Sequence, residues 1–89
     1  MVYKLYIANE KIWLKDLSKL TSKERKRILL KVELLIKEPT PPEVKAKRLK
    51  HYDLADFRLR VGGYRVLFDR DDETKEIILY RILHRSKMY

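Results

Sequence analysis

The residues best suited to chemistry are three arginines around a glycine pair: Arg58, Arg60 and Arg65 flank Gly62-Gly63 in the run Phe57–Phe68. Two alternating apolar runs separated by Gly-Gly predict a β-hairpin with a two-residue turn. That turn sets the register. Val61 faces Tyr64, Leu59 faces Val66 and Phe57 faces Phe68, all six on one side of a sheet. Arg60 then lies opposite Arg65 on the other side, with Arg58 two residues along. Like charges placed directly opposite repel, where an opposite pair would contribute up to ~1 kcal/mol. An anion between them would offset that repulsion, and guanidinium forks match phosphate oxygens in a bidentate way that lysine cannot. Two plainer readings stay open: a solvated basic face, or pairing with Asp56 and Asp69.

Further basic residues bracket this hairpin. Lys45, Lys47, Arg48 and Lys50 precede it, and Arg81, His84, Arg85 and the terminal Tyr89 follow. Strand parity would put Arg81 and Arg85 on one face. His84 and His51 read as ordinary polar residues, and Tyr89 reads as a chain end. Asp69, Asp71, Asp72 and Glu73 are bunched in a turn with basic neighbours and lack metal-ligand spacing, so no metal site is expected. The chain has no cysteine, which removes disulfides and thiolate zinc sites. No glycine-rich phosphate loop or nucleophile elbow is present, and no cofactor is expected.

The elements that must position these residues follow from periodicity. Met1–Ile7 alternates and predicts a first strand with Met1, Tyr3, Leu5 and Ile7 on one face. Asn9 can cap a short helix bearing Trp13, Leu17 and Leu20 at helical spacing. Thr21 and Glu24 form a capping box that opens a second helix. Its stripe is Ile28, Leu29, Val32, Leu35 and Ile36, with a basic opposite side, and Pro39, Pro41 and Pro42 end it. The short link makes the helices an antiparallel hairpin. Glu43–Tyr52 reads as a loop or irregular edge segment. Asp71–Thr74 makes a second turn, and the apolar run Ile77–Leu83 is a central strand.

With 89 residues, the chain is expected to form one domain, 1–89. Its 22 Lys and Arg against 13 acidic residues give a net charge of +9. Such a surplus repels itself in the folded state and favours a polyanion or an acidic protein as partner. No apolar run approaches the ~18 residues of a membrane span, and Met1–Ile7 lacks the features of a signal peptide. The expected setting is cytoplasmic, with no membrane partner.

The segment from Phe57 to Phe68 resembles the R-L-R-V-G-x-Y-R-V-x-Y/F core of the RelE/ParE toxin superfamily. The ending Arg81–Tyr89 resembles its R-x-x-H-R-x-x-x-Y tail, and Lys47-Arg-Leu-Lys50 occupies the place of its basic stretch. The resemblance implies an α+β, RelE-like fold: a compact antiparallel β-sheet packed against an N-terminal two-helix hairpin, in the order β-α-α-β-β-β. It also implies the toxin of a type II toxin–antitoxin pair, silenced by an acidic RelB-like antitoxin that wraps it in a heterodimer or heterotetramer. A RelE-like member is a metal-independent endoribonuclease. It cleaves mRNA in the ribosomal A site by attack of a 2′-hydroxyl on the adjacent phosphate.

By position, the resemblance makes Arg65, Arg85, Tyr89 and Arg58 catalytic. Lys45, Lys47, Arg48, Lys50, Arg60, Arg81 and His84 would bind RNA. Arg58 stands where relatives carry a catalytic lysine, and Asp56 stands where they carry a second. The alternatives are a ParE-like toxin that binds gyrase without nuclease chemistry, or a catalytically idle RNA- or antitoxin-binding module.

Overall fold

The hairpin register places the whole sheet, so the fold is best followed outward from it. The structure, a computed structural model, describes residues 2–37, 44, 46–50 and 54–87. Strand β3 (Phe57–Val61) pairs antiparallel with β4 (Tyr64–Asp71), and the pairs are those expected: Phe57 with Phe68, Leu59 with Val66, Arg60 with Arg65, Val61 with Tyr64. Gly62 takes φ +59°, a conformation an L side chain adopts only with strain of roughly 1–2 kcal/mol. At Gly63 a Cβ would make only an ordinary contact, 3.4 Å from Nε2 of His84.

Strand β5 (Glu76–His84) pairs antiparallel with β4 and is central, as its apolar run predicts. β1 (Lys4–Ile7) adds to the far side of β5 in parallel, and β2 (Ala46–Arg48) adds antiparallel to β3. The sheet order is β1-β5-β4-β3-β2. The sheet is therefore mixed: the expected antiparallel arrangement holds for β2–β5, while β1 departs from it. The reason is topological, because two helices intervene before the chain returns to the sheet, and such a crossover permits parallel pairing. The basic segment before the hairpin supplies a three-residue edge strand, a length that suits an edge.

Both helices start on the predicted caps. For α1 (Glu10–Ser18), Asn9 accepts from the Ile12 N–H at 3.2 Å. For α2 (Ser22–Leu35), Thr21 Oγ1 accepts from the Glu24 N–H at 3.2 Å, and Glu24 accepts from the Thr21 N–H at 2.9 Å. The prolines expected to stop α2 lie outside the described residues. α1 packs on β5 and α2 on β3. Between helices and sheet, Trp13, Ile28, Val32 and Leu35 meet Leu59, Val66, Phe68 and Ile77 in one core. Phe57 is only half-buried against that core, its ring stacked on Phe68 at 5.4 Å. A smaller cluster of Leu67 and Ala55 with Leu49, Tyr80 and Leu83 packs separately.

Two expectations about burial change. Tyr3 is buried, but Leu5 and Ile7 are exposed, because β1 is an edge strand with little laid over it. Leu29 of the α2 stripe is exposed too. A β-bulge between Leu67 and Phe68 also shifts the β4–β5 register, so that Leu67 faces Arg81 and Phe68 faces Leu79, with Tyr80 left over. No helix among the described residues is long and apolar enough to cross a membrane.

Candidate functional site

The turn between β3 and β4 meets the end of β5: the Arg85 N–H donates to the Gly63 carbonyl at 2.8 Å. That bond draws the C-terminal segment alongside the arginine hairpin. Around the junction lies an open cleft of about 520 Å³, lined by Arg60, Gly62, Gly63, His84 and Arg85, with Arg27 and Lys31 contributed by α2. Among the described residues no acidic one lines it. Among the described residues, Arg27, Lys31, Arg60 and Arg85 make no ion pair or side-chain hydrogen bond. Four uncompensated cations on one concavity repel one another until an anion enters.

Arg65 is of a different kind. It is 8% exposed, and its Nη1 donates to the carbonyls of Gly62 at 3.0 Å and Tyr64 at 2.9 Å. The guanidinium thereby braces the turn and is oriented by it. Arg58 is half-buried, opposite Leu67 on one side and Lys47 on the other. Lys47 and Lys50 are exposed on and just after the edge strand. Arg48 lies over the Phe57 ring, 5.1 Å from its centroid. Lys45, His51 and Tyr89 lie outside the described residues.

Arg81 and Arg85 do not share a face in the way parity predicts. The β4–β5 pairing is regular from Arg81 to His84, but β5 ends there and Arg85 begins a 3-10 turn, Arg85–Lys87. Arg81 instead forks onto Asp16 of α1, which also accepts from the Ile82 N–H at 3.0 Å. Burial works to raise the Asp16 carboxyl, but Arg81 and the Ile82 N–H outweigh it and hold it below the usual carboxylate range.

His84 is fixed from two sides. Nδ1 lies 2.9 Å from Ser86 Oγ, and the ring meets Tyr64 edge-on at 5.4 Å. Tyr64 in turn engages Glu24, the residue that caps α2; partial burial first, and then this carboxylate, raise the Tyr64 phenol.

The bunched acids are occupied elsewhere. Asp69 accepts from the Asp56 N–H and from the Tyr80 hydroxyl, each at 2.7 Å, and this contact pushes the Tyr80 phenol up to about 12. Asp71 closes the β4–β5 turn by accepting from the N–H groups of Glu73 and Thr74. Asp72 binds Arg70 at 2.7 Å and the hydroxyl of Tyr3 at 2.6 Å. No group of three or more His, Asp or Glu among the described residues is arranged to hold a metal ion.

Sequence reasoning missed Arg27 and Lys31, which it counted among the basic side of α2, and Asp16. The signal for Asp16 was its place in the apolar stripe of α1, three residues after Trp13 and four before Leu20.

Comparison with known proteins bears on this geometry. The family model described as the ParE toxin of the type II toxin–antitoxin system parDE matches residues 11–89. Among solved structures, the chain is similar to a chain of an archaeal RelE–RelB complex from Pyrococcus horikoshii OT3, at 26% identity and TM-score 0.75, covering 98% of this chain and 99% of that one. It resembles a chain of a RelB–RelE antitoxin–toxin complex from Methanococcus jannaschii, at 30% identity and TM-score 0.70, with 94% of each covered. It also resembles a chain of the toxin–antitoxin complex RelBE2 from Mycobacterium tuberculosis, at 25% identity and TM-score 0.68, covering 98% and 95%. No curated protein matches the chain.

Proposed function

Since the chain belongs to the RelE/ParE toxin superfamily of type II toxin–antitoxin systems, we propose that it is a ribosome-dependent endoribonuclease that cleaves mRNA in the ribosomal A site. The observation that carries this reading is the acid-free cleft in which unpaired Arg27, Lys31, Arg60 and Arg85 converge on the hairpin turn braced by Arg65. A surface built only to bind an acidic protein has no need to concentrate unpaired guanidinium groups at one point; a phosphoryl transition state does.

The reaction is attack of the 2′-oxygen of one nucleotide on its own 3′-phosphorus. The new P–O bond closes a 2′,3′-cyclic phosphate, and the bond to the next nucleotide's 5′-oxygen breaks. The 2′-hydroxyl proton passes to a base, and the leaving 5′-oxygen takes up a proton. Arg65 and Arg85, with Arg58, stabilise charge on the phosphate. Arg65 suits this because its direction is already set, so no reorganisation is needed at the transition state. Tyr89 serves as the proton acceptor; a phenol does so only where cations favour phenolate. Lys45, Lys47, Arg48, Lys50, Arg60 and His84 bind the RNA. Arg81 contributes through its pairing with Asp16, which sets the path of β5 toward the cleft.

Its partner in this reading is an acidic RelB-like antitoxin, as in the complexes named above, in a heterodimer or heterotetramer. Exposed Leu5, Tyr6, Leu14 and Leu30 offer it apolar anchors, and the +9 charge draws it. The toxin acts in the cytoplasm, where ribosomes are.

The family model's own description favours a second reading, a ParE-like toxin that binds gyrase and performs no chemistry. Two assays separate them: cleavage of mRNA with and without ribosomes, and supercoiling by gyrase. Cleavage only with ribosomes supports the nuclease. Intact mRNA together with blocked supercoiling would replace it.

A further inference from the structure

The cleft at the hairpin turn is larger than one phosphate requires, and its cations stand on two separate elements. Its volume of about 520 Å³ falls in the range of pockets that take whole small ligands. One wall is the sheet end, with Arg60, His84 and Arg85. The rest of the charged lining comes from α2, where Arg27 and Lys31 are four residues apart and so lie on one face, about 5–6 Å apart at Cβ. Arg27 is exposed, and its guanidinium nitrogens come within 3.6 Å of where a Cβ on Gly62 would sit. The helix pair therefore reaches over the turn into the same concavity. Nothing among the described residues neutralises either side chain, although Glu24 stands one turn back. Its carboxylate is engaged by the Thr21 N–H and by Tyr64.

We propose that Arg27 and Lys31 form a second phosphate subsite, which grips a phosphodiester of the RNA strand next to the scissile one. The inference rests on the nuclease reading for which phosphate is scissile; the subsite itself follows from the geometry of α2 and the turn. Two phosphates, one held by α2 and one by the sheet end, would fix both the position and the direction of the strand across the turn. Such a clamp orients the reacting linkage without touching it, a contribution to proximity rather than to the chemical step. Arg27 and Lys31 are positioning residues in that sense.

The test is binding of a short single-stranded RNA with a 2′-O-methyl group at the cleavage nucleotide, which blocks reaction. A neutral methylphosphonate replaces the linkage on one side or the other of the scissile one. Wild-type protein should lose roughly tenfold in affinity for one of the two neutralised oligonucleotides, the scale of one charge-assisted contact. The double variant R27A/K31A should bind the fully charged RNA about as weakly as wild type binds that neutralised one. It should lose less than about twofold more on neutralisation. R27K/K31R should keep most of the wild-type discrimination, because both charges remain. Equal losses for wild type and R27A/K31A at both linkages would overturn the subsite and assign the helix charges to another surface. Thermal midpoints should match, since neither side chain belongs to the core. A protein that fails to cut unmodified mRNA on ribosomes yet shows this coupling would refute the nuclease and retain the subsite.

Discussion

Arg81 of β5 grips Asp16 of α1 through two parallel bonds, Nε to Oδ2 at 2.8 Å and Nη2 to Oδ1 at 3.0 Å. The acid side chain is only 3% exposed, while the arginine is 34% exposed. Asp16 also takes the Ile82 N–H, a strand group beyond the end of the β1 pairing, which stops at Leu79. One carboxylate thus fixes α1 to the sheet and blunts an open strand edge.

Removing it should be destructive. Asp16→Ala takes two bonds from a partly buried guanidinium and the acceptor from the Ile82 N–H, and should lower stability by roughly 2–4 kcal/mol. In a domain this small that is a large share of the total. The folded carboxyl lies below its ordinary 3.8, so its contribution is present above that pH and is lost as pH falls through the lower folded value. Urea midpoints measured from pH 6 down to pH 3 should therefore decline less steeply in Asp16→Asn than in wild type. Parallel declines would mean that Asp16 is not the group that titrates.

The two turn glycines should respond differently. Gly62→Ala forces an L side chain to φ +59° and should cost about 1 kcal/mol, which is roughly 4–8 °C in thermal midpoint for a domain of this size. Gly62→Asn should cost less, since asparagine tolerates that region. Gly63→Ala meets only an ordinary contact with His84, at 3.4 Å, and should shift the midpoint little. Gly63→Val should displace the imidazole and, under the nuclease reading, slow cleavage. A Gly63→Ala variant less stable than Gly62→Ala would contradict this ordering.

How much of this was legible depends on whether a residue's role is local. The β3–β4 register could be read because Gly62-Gly63 fixes the loop length and the flanking alternation is strict. The caps of α1 and α2 were legible for the same reason: Asn9, Thr21 and Glu24 act within three residues of themselves. The bulge at Leu67/Phe68 left no trace, since Ile77–Leu83 is apolar on both faces and tolerates either register. The pairing of Arg81 was hidden for a different reason: Asp16 lies sixty-five residues away on α1. Arg27 and Lys31 were hidden among Lys23, Arg25 and Lys26, and only the fold shows which of these cations turn toward Gly62.

Arg65 and Arg85 should separate stability from catalysis. Under the nuclease reading, replacing either by Ala should slow single-turnover cleavage by roughly 10²-fold or more, as for loss of one preorganised charge donor. Only Arg65→Ala should also lower the thermal midpoint, because only Arg65 holds the carbonyls of Gly62 and Tyr64. Ribosome affinity should change far less in both, and should weaken steeply with salt in wild type. An Arg85→Ala variant with unimpaired cleavage would remove Arg85 from the phosphate.

The sharpest test of the chemistry is Tyr89→Phe. The variant keeps the ring's stacking area and removes only the hydroxyl, so binding to a splayed base should persist. Single-turnover cleavage at saturating toxin should fall about ten- to a hundredfold, within the range of one proton-transfer group. A residue that lines the cleft can compete for the role: His84 is held there by Ser86 and Tyr64. The pH profile distinguishes the two. If the phenolate is the base, the wild-type rate should climb with pH well above neutrality, and Tyr89→Phe should flatten that climb. If the imidazole is the base, Tyr89→Phe should leave the profile unchanged and His84→Gln should flatten it. A Tyr89→Phe enzyme that cuts at the wild-type rate with the wild-type profile would move the base to His84 and leave Tyr89 as a stacking residue.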